Sequence, residues 1–189
     1  MKKKEVLLCA SGASGAIYTQ SLIEKLSLLE DCNTYIIFTQ TAKEVYNCEL
    51  DEDYHSLAEK YPNIEFITNN NFFHKFASGT HILDAMIIAP CSMGCLSRIA
   101  QGLSSDLISR IADVQIKERR RLILVPREAP YSLIHLNNMV TLTQSGAIIL
   151  PASPSFYTQP RSISQLVDCF TDRVLASADI KPISEHNTW

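Results

Sequence analysis

Two segments of the chain repeat one pattern, in which a short apolar stretch runs into a turn of small residues and then a helix. The first joins a strand at Glu5–Ala10 to the turn Ser11–Gly15, and the second joins a strand at Asp84–Pro90 to the turn Cys91–Gly94. Small residues let the N–H groups of a helix N-terminus approach an anion closely. Neither turn is a Gly-x-Gly-x-x-Gly fingerprint or a P-loop, so each alone is a weak signal. At neighbouring strand ends, however, the two turns would form facing walls of one ligand crevice.

The remaining apolar stretches predict an alternating α/β chain. A closing helix is indicated by Ile163, Leu166, Val167, Phe170 and Val174, which recur at helical spacing and predict one buried face. Further strands are predicted at Thr34–Thr39, Ile64–Ile67, Leu122–Val125 and Ala147–Leu150, with helices between them. This order predicts a doubly wound, mostly parallel sheet in three layers, α/β/α. With 189 residues the chain is long enough for one such domain, predicted over residues 1–189 with a tail from about 178.

Composition and charge exclude several classes of protein. With 46% hydrophobic and 20% charged residues, the chain is expected to fold rather than remain disordered. The net charge of −3 argues against a general nucleic-acid binder. Three lysines open the chain, but the apolar run behind them is too short for a signal peptide or a membrane span. We therefore expect a cytoplasmic protein.

Six cysteines are scattered without a Cys-x-x-Cys pair, and we expect most of them to be reduced thiols in the core. Cys91 and Cys95 are four residues apart at a strand end, so reaction or metal binding is an alternative. No histidine lies near them in the sequence, and no carboxylate cluster predicts a magnesium site. We therefore predict no metal.

Charged residues are concentrated between Ser92 and Arg127. Arg110 and Lys117 are two helical turns apart on one face, with Asp113 between them, so they fit either a phosphate site or a solvated helix face. Arg127 and Glu128 follow a strand between two prolines, which indicates a functional position. Thr39 also ends a strand, where it fits equally a ligand contact or a helix cap.

Aromatic residues occur in three polar segments. The segment Asn69–Gly79 carries three phenylalanines and predicts a lid or a subunit contact, and Phe156 and Tyr157 lie in a proline-rich loop. Trp189, the only tryptophan, ends the chain, where it is expected to be either disordered or docked on a neighbouring subunit.

Six motifs together resemble the UbiX/Pad1 flavin prenyltransferases in order and spacing. They are Ser11-Gly12-Ala13-Ser14-Gly15-Ala16, Ala89-Pro90-Cys91-Ser92-Met93-Gly94, Ile111-Ala112-Asp113-Val114, Lys117-Glu118-Arg119-Arg120, Val125-Pro126-Arg127-Glu128-Ala129-Pro130 and Pro154-Ser155-Phe156-Tyr157. The resemblance implies a flavodoxin-like Rossmann fold and a homo-oligomer, dodecameric in that family, with FMN at a subunit interface. It also implies transfer of a dimethylallyl group from dimethylallyl monophosphate to N5 and C6 of reduced FMN. The prenylated FMN would serve UbiD-type decarboxylases, for example in ubiquinone synthesis.

The same resemblance implies roles for individual residues. FMN would contact Gly12, Ala13, Ser14, Thr39, Ser92, Met93, Gly94, Cys95 and Arg127. The prenyl donor would contact Arg110, Lys117, Tyr157 and Arg173, with Phe72 and Trp189 as aromatic walls. Glu128, Ser14, Lys117 and Arg110 would be catalytic, through proton transfer and stabilisation of the leaving phosphate. Thr39, Cys95, Arg121 and Phe72 depart from the family's usual residues, but no required charge is missing.

Two alternatives stay open beside this resemblance. Flavin-dependent cysteine decarboxylases share the fold and use a histidine ahead of the fourth strand, where this chain has His81. The spacing from His81 to Pro90 is shorter than in that family, and its Pro-x-Met-Asn motif is absent, so we interpret His81 as structural. The second alternative is an FMN-binding subunit that has lost its catalytic function, against which the presence of Glu128, Lys117 and Tyr157 argues.

Overall fold

The computed structural model describes residues 3–181 and contains one parallel sheet of six strands. The strands are β1 (Lys4–Ala10), β2 (Cys32–Phe38), β3 (Ile64–Thr68), β4 (Ala85–Cys91), β5 (Arg121–Pro126) and β6 (Ile148–Ile149). Their spatial order is β3-β2-β1-β4-β5-β6, which is the order of a doubly wound Rossmann sheet. The predicted fold class is confirmed, and the point at which the strand order reverses lies between β1 and β4.

Helices cover both faces of the sheet. They are α1 (Ala16–Ser27), α2 (Gln40–Leu50), the short α3 (Leu57–Lys60), α4 (Met93–Ala100), α5 (Leu107–Lys117), α6 (Leu133–Gln144) and α7 (Ile163–Ser177). Helices α1, α2 and α7 pack on one face, and α4, α5 and α6 pack on the other. None of the helices within residues 3–181 is long and apolar enough to cross a membrane.

The alternating faces of the strands separate the two cores. Along β1, Val6 and Leu8 contribute to the core beneath α1, while Leu7 and Cys9 contribute to the core beneath α5, and all four are fully buried. Successive side chains of a strand point to opposite faces, so a buried parallel strand needs apolar residues at every position. This requirement explains why the strands were visible in the sequence as continuous apolar runs.

Helix α5 begins at Leu107, where the Asp106 carboxylate accepts the N–H of Ser109. Two local expectations are corrected by the structure. The strand predicted at Asp84–Pro90 does not end at Pro90, because β4 continues to Cys91 through a register irregularity that accommodates a residue without an N–H group. Ile163 is 72% exposed, so the apolar stripe of α7 is buried only beyond its first turn.

All six cysteines are free, and Cys9, Cys32, Cys91 and Cys95 are buried as expected. Within residues 3–181 no group of His, Cys, Asp and Glu side chains is arranged to hold a metal ion. The C-terminal end of α7 at Ser177 lies next to the predicted start of the tail. The single-domain assignment, with its tail from about 178 to 189, stays a prediction because residues 182–189 lie outside the described part of the chain.

A nearly buried ion pair joins α1 to α7. Lys25 Nζ lies 2.7 Å from a carboxylate oxygen of Asp172 and donates a hydrogen bond to the carbonyl of Asp168 at 2.9 Å. The Asp172 side chain is only 2% exposed, whereas that of Asp168 is 49% exposed. A hydroxyl pair, Ser21 with Thr171 at 2.9 Å, lies in the same interface. The first and last helices are therefore held together by polar contacts as well as by the core.

We expect the Asp172→Asn variant to lower the free energy of unfolding by about 3 kcal/mol, because it leaves the Lys25 charge buried without its closest partner. Urea unfolding followed by circular dichroism would measure the loss. The matched control is Asp168→Asn, which removes an exposed charge next to the same lysine and should cost about 1 kcal/mol or less. Equal losses in the two variants would contradict this account of the interface.

Candidate functional site

The two small-residue turns contact each other at the carboxyl edge of β1 and β4. The backbone N–H and the hydroxyl of Ser11 both donate to the carbonyl of Pro90, at 3.1 and 3.2 Å. The N–H of Ser92 donates in return to the Ser11 hydroxyl at 2.8 Å. The turns are therefore neighbours at the point where the strand order reverses, where open α/β sheets bind their ligands.

Two helices that begin at this edge are capped by hydroxyl groups predicted to contact a cofactor. Thr39 Oγ1 accepts the N–H of Ala42 at the start of α2, and Ser92 Oγ accepts the N–H of Cys95 at the start of α4. The cap interpretation of Thr39 is confirmed, while its ligand contact stays a prediction. Both helices direct their positive N-terminal ends toward the crevice, which favours an anionic group there.

Glycines allow close approach at two places in the crevice. A Cβ atom on Gly12 would lie 2.6 Å from Thr41 Cγ2, so a side chain would force the first turn of α2 away. A Cβ atom on Gly94 would have only Arg98 Nη1 near it, at 3.9 Å, so the first turn of α4 is open on that side. This backbone is therefore accessible to the edge of a planar ligand.

A carboxylate occupies the N-terminus of α1. Glu49 Oε2 accepts the N–H groups of Gly15 and Ala16, at 2.9 and 2.8 Å. Burial alone would raise the pKa of Glu49, but hydrogen bonds from the Ser14 side chain and these two amides, with the charge of Arg127, lower it overall. The α1 terminus that we expected to hold a phosphate already holds an anion. A ligand phosphate is thus better served by the ends of α2 and α4.

Arg127 connects the end of β5 to the first turn. Its Nε donates to the carbonyl of Ser14 at 3.1 Å, and its own N–H donates to the carbonyl of Cys91 at 3.3 Å. Glu128 is exposed next to it, with one carboxylate oxygen accepting the N–H of Ala129 at 3.0 Å. Residues from β1, β4 and β5 therefore meet at one edge, with Glu128 facing outward.

The thiols beneath this edge are not exposed to the crevice. Cys91 and Cys95 are 0% and 1% exposed, so neither thiol is accessible from the crevice, and the contact of Cys95 with FMN stays a prediction. Its hydrogen bond with Cys91 lowers the pKa of Cys95, and the same hydrogen bond together with burial raises the pKa of Cys91. The neighbouring predicted contacts Ala13 and Met93 are also largely buried.

Two of the three cations predicted to hold the prenyl donor lie on α5. Arg110 contacts the Asp113 carboxylate at 3.0 Å and donates from Nε to the carbonyl of Ala77. Lys117 pairs with Glu118, its neighbour in the sequence, rather than with Asp113. These carboxylate partners fit the solvated helix face of the two alternatives, and the phosphate site stays a prediction.

Lys117 lies far from the crevice of its own chain. Lys117 is the last residue of α5 and lies shortly before Arg121, the first residue of β5. Arg121 pairs with Ala85, the first residue of β4, so Lys117 lies near the amino edge of the sheet. Ser92 follows the last residue of β4, and a strand of seven residues spans about 20 Å between its ends. Lys117 and the Ser92 turn are therefore at opposite edges of the same sheet.

The other predicted donor contacts are also separated from the crevice or exposed. Arg173 lies on α7, which packs on the opposite face of the sheet from α5. It is one helical turn before Ser177, and the carbonyl of Ser177 accepts a hydrogen bond from Arg121 at the amino edge of the sheet. Tyr157 and Phe72 are 64% and 44% exposed. Trp189 lies outside the described residues. One chain therefore brings together Gly12 to Ser14, Thr39, Ser92 to Cys95, Arg127 and Glu128, and leaves Lys117 and Arg173 apart from them.

Glu49 is a functional candidate that sequence reasoning missed. It lies in the last turn of α2, which ends at Leu50. Glu49 is separated from Gly15 by 34 residues of sequence, so its contact with the start of α1 forms only when α2 packs beside α1. Its position was not readable from local spacing.

Comparison with known proteins points to a single family. The family model described as Flavoprotein matches residues 1–175. The flavin prenyltransferase UbiX of Methanocaldococcus jannaschii is 40% identical over 171 residues, covering 90% of this chain and 91% of the relative. The flavin prenyltransferase LpdB of Lactiplantibacillus plantarum is 42% identical over 173 residues, covering 91% of each chain.

Solved structures agree with this similarity. AnUbiX (PadA1) in complex with FMN and dimethylallyl pyrophosphate has a TM-score of 0.90 and 34% identity, with full coverage of both chains. A dodecameric FMN-dependent UbiX-like decarboxylase from Escherichia coli O157:H7 has a TM-score of 0.90 and 31% identity, covering 98% of each chain. The cysteine decarboxylase TvaF has a TM-score of 0.66 at 15% identity over 93% of this chain and 98% of its own, which is a likeness of fold alone.

The contacts of Glu49 predict a pH-dependent contribution to stability. A carboxyl group whose folded pKa is lowered stabilises the protein above its ordinary value of 4.5 and loses that contribution as the pH falls through the folded value. Wild type should therefore be more stable than Glu49→Gln at neutral pH, and the difference should shrink below about pH 4.5. Urea unfolding at a series of pH values would measure it.

The control for this series is Glu44→Gln, an exposed position on the same helix. Its contact is one exposed hydrogen bond with Gln40 at 3.2 Å, so the change should alter stability by about 0.5 kcal/mol or less. A Glu49→Gln difference that persists unchanged into acid would show that the charge of Glu49 does not stabilise the end of α1.

Proposed function

Since the chain belongs to the flavin prenyltransferase family of flavoproteins, we propose that it transfers a dimethylallyl group from dimethylallyl monophosphate to reduced FMN. The observation that carries the proposal is the junction at one sheet edge of Ser14, Glu49 and Arg127, beside the open N-termini of α2 and α4. These three polar side chains thus lie beside backbone N–H groups that are suited to bind a flavin phosphate.

The crevice fits FMN. Its phosphate would accept hydrogen bonds at the capped N-termini of α2 and α4, near Thr39 and Ser92, and the flavin ring would lie against Gly12, Ala13 and Gly94. Arg127 would contribute a positive charge beside the ring. Reduced FMN, when bound, supplies the nucleophilic atoms N5 and C6 that receive the prenyl group.

Departure of the phosphate requires cations and proton donors. As the carbon–oxygen bond of the donor breaks, the phosphate leaves with the bonding electrons, and Arg110, Lys117 and Arg173 would neutralise the charge that develops on it. Tyr157 would donate a hydrogen bond, and Phe72 and Trp189 would offer π faces to the allylic cation. Glu128 and Ser14 would handle protons near N5, and the charged, hydrogen-bonded Glu49 would hold the Ser14 hydroxyl in place.

The proposed site requires more than one subunit. Because Lys117 and the Ser92 turn lie at opposite edges of one sheet, the donor cations of one chain would serve the flavin of another. Several apolar side chains of α6 are exposed, with Leu133, Ile134, Leu136 and Val140 at 72, 69, 45 and 54%. Such a patch favours a protein interface. We infer a homo-oligomer, and a dodecamer is the form that the similarity to the E. coli O157:H7 protein supports.

The destination of the product follows from the family resemblance. We infer that prenylated FMN passes to a UbiD-type decarboxylase in the cytoplasm, with ubiquinone synthesis as one setting. The donor in the AnUbiX complex is the pyrophosphate. We propose the monophosphate for this chain because the described residues offer three cations and no carboxylate group arranged to hold the magnesium that diphosphates favour.

The direct test is anaerobic incubation of the protein with reduced FMN and dimethylallyl monophosphate, followed by mass spectrometry of the flavin. We expect a mass gain of one prenyl group, and a parallel reaction with the pyrophosphate should be slower. Bound FMN without any mass gain would overturn the proposal and favour a non-catalytic subunit. Decarboxylation of a peptide ending in cysteine would instead favour the cysteine decarboxylases.

Changing Glu128 to Gln should slow prenyl transfer by about 100-fold, the usual scale of a lost proton-transfer group, while leaving FMN affinity within a few-fold. Stopped-flow absorbance and flavin fluorescence titration would measure the two quantities. Glu59→Gln, an exposed glutamate of α3, is the matched control and should match wild type in both. Loss of FMN binding in Glu128→Gln would assign Glu128 to the cofactor site instead.

A mixing experiment tests the shared site. Ser14→Ala impairs the flavin side and Lys117→Ala impairs the donor side, so each homo-oligomer should have low activity. Oligomers reassembled from both variants should regain activity, because some sites would combine an intact Ser14 with an intact Lys117 from another subunit. Activity equal to the average of the two parents would mean that each chain supplies its own site.

A further inference from the structure

Lys117 has a competitor for its charge built into the next residue. Its ammonium contacts the carboxylate of Glu118, and both side chains remain partly exposed, at 47 and 34%. The hydrogen bond from Lys117 lowers the pKa of Glu118, so this carboxylate stays charged. Lys117 is thus already neutralised at the position where the proposed function requires it to bind a phosphate.

The surrounding loop is built to accommodate this pair. A Cβ atom on Gly79 would lie 2.2 Å from Glu118 Oε1 and 2.8 Å from Lys117 Nζ. Arg120 fixes the loop by donating to the carbonyls of Gly79 and His81 at 2.7 and 2.8 Å. The Lys117–Glu118 pair therefore lies directly over the backbone of Gly79, which is held in place by Arg120.

Helix stability does not explain the position of Glu118. It is the C-cap residue of α5, where the negative end of the helix dipole disfavours a carboxylate. The Arg110–Asp113 pair differs, because Asp113 lies within the helix and Arg110 is also held by the Ala77 carbonyl. Glu118 also has a second cation beside it, since its other carboxylate oxygen lies 3.9 Å from Arg120 Nη2.

We propose that Glu118 is a positioning residue that competes with phosphate for Lys117. It holds the ammonium before the donor binds, gives it up to the donor phosphate, and takes it back after the prenyl group has left. Free phosphate lacks the contacts that the prenyl chain of the donor makes. The Glu118 carboxylate therefore displaces free phosphate from Lys117 more easily than it displaces the donor. The proposal rests on the proposed function, because it requires the donor phosphate to be bound at Lys117.

The test compares Glu118→Gln with wild type in prenyl transfer and in inhibition by inorganic phosphate. Glutamine keeps the size of the side chain and removes its charge. The inhibition constant for phosphate should fall about fivefold, the scale of one exposed ion pair, and the KM for the donor should fall as well. Glu59→Gln is the matched control and should leave both constants as in wild type.

Two outcomes would overturn the proposal. If Glu118 only orients Lys117, its removal should weaken phosphate binding and raise the inhibition constant. An unchanged inhibition constant would show that Glu118 has no influence on the site. Thermal unfolding of both variants confirms that they are folded, which is expected because position 118 is exposed.

A double variant separates direct competition from a general effect of charge. In a Lys117→Ala background, Glu118→Gln should no longer change phosphate affinity, measured by calorimetry with inorganic phosphate alone. A fivefold change that persists without Lys117 would contradict direct competition. Failure of wild type to prenylate FMN would overturn the proposed function itself, whereas prenylation by wild type without tighter phosphate binding in Glu118→Gln would overturn this inference alone.

Discussion

The hydrogen bonds that Ser11 makes across the point of strand reversal are the constraint on which the site depends. Ser11 is 1% exposed, so its polar atoms and those of the turn it contacts must be satisfied within the protein. They satisfy one another, with Pro90 and Ser92 as partners. This exchange fixes the starts of α1 and α4 side by side. The crevice is therefore a consequence of backbone hydrogen-bonding needs at two adjacent strand ends.

In both regions predicted to bind ligands, positive groups already have carboxylate partners within the chain. At the carboxyl edge the amides that begin α1 donate to Glu49, near the charge of Arg127. Near the amino edge Lys117 has a carboxylate partner of its own. An anion that binds at the α1 terminus or at Lys117 must therefore exchange with an existing carboxylate rather than enter an uncompensated positive site. Such exchange reduces affinity for any single phosphate and favours ligands that make additional contacts.

Much of the fold was readable from the sequence, because a parallel sheet covered on both faces requires strands that are apolar at every position. The crevice could be predicted for the same reason, since its two turns directly follow such strands. Glu49 could not, because its partners lie in another helix and are brought near only by tertiary packing. The distance between Lys117 and the Ser92 turn was equally hidden, since a motif gives sequence order but not which sheet edge a residue occupies.

The central position of β1 has a consequence for the synthesis of the protein. The strand β1 needs two neighbours, and one of them is β4, which pairs Ala85 with Val6 and is synthesised well after β1. Until then the strand edge that β4 will cover, together with the apolar faces around it, is exposed. Such unpaired edges are prone to aggregate in long-lived nascent chains. The geometry that creates a binding crevice thus also leaves β1 without its second neighbour until β4 has been synthesised.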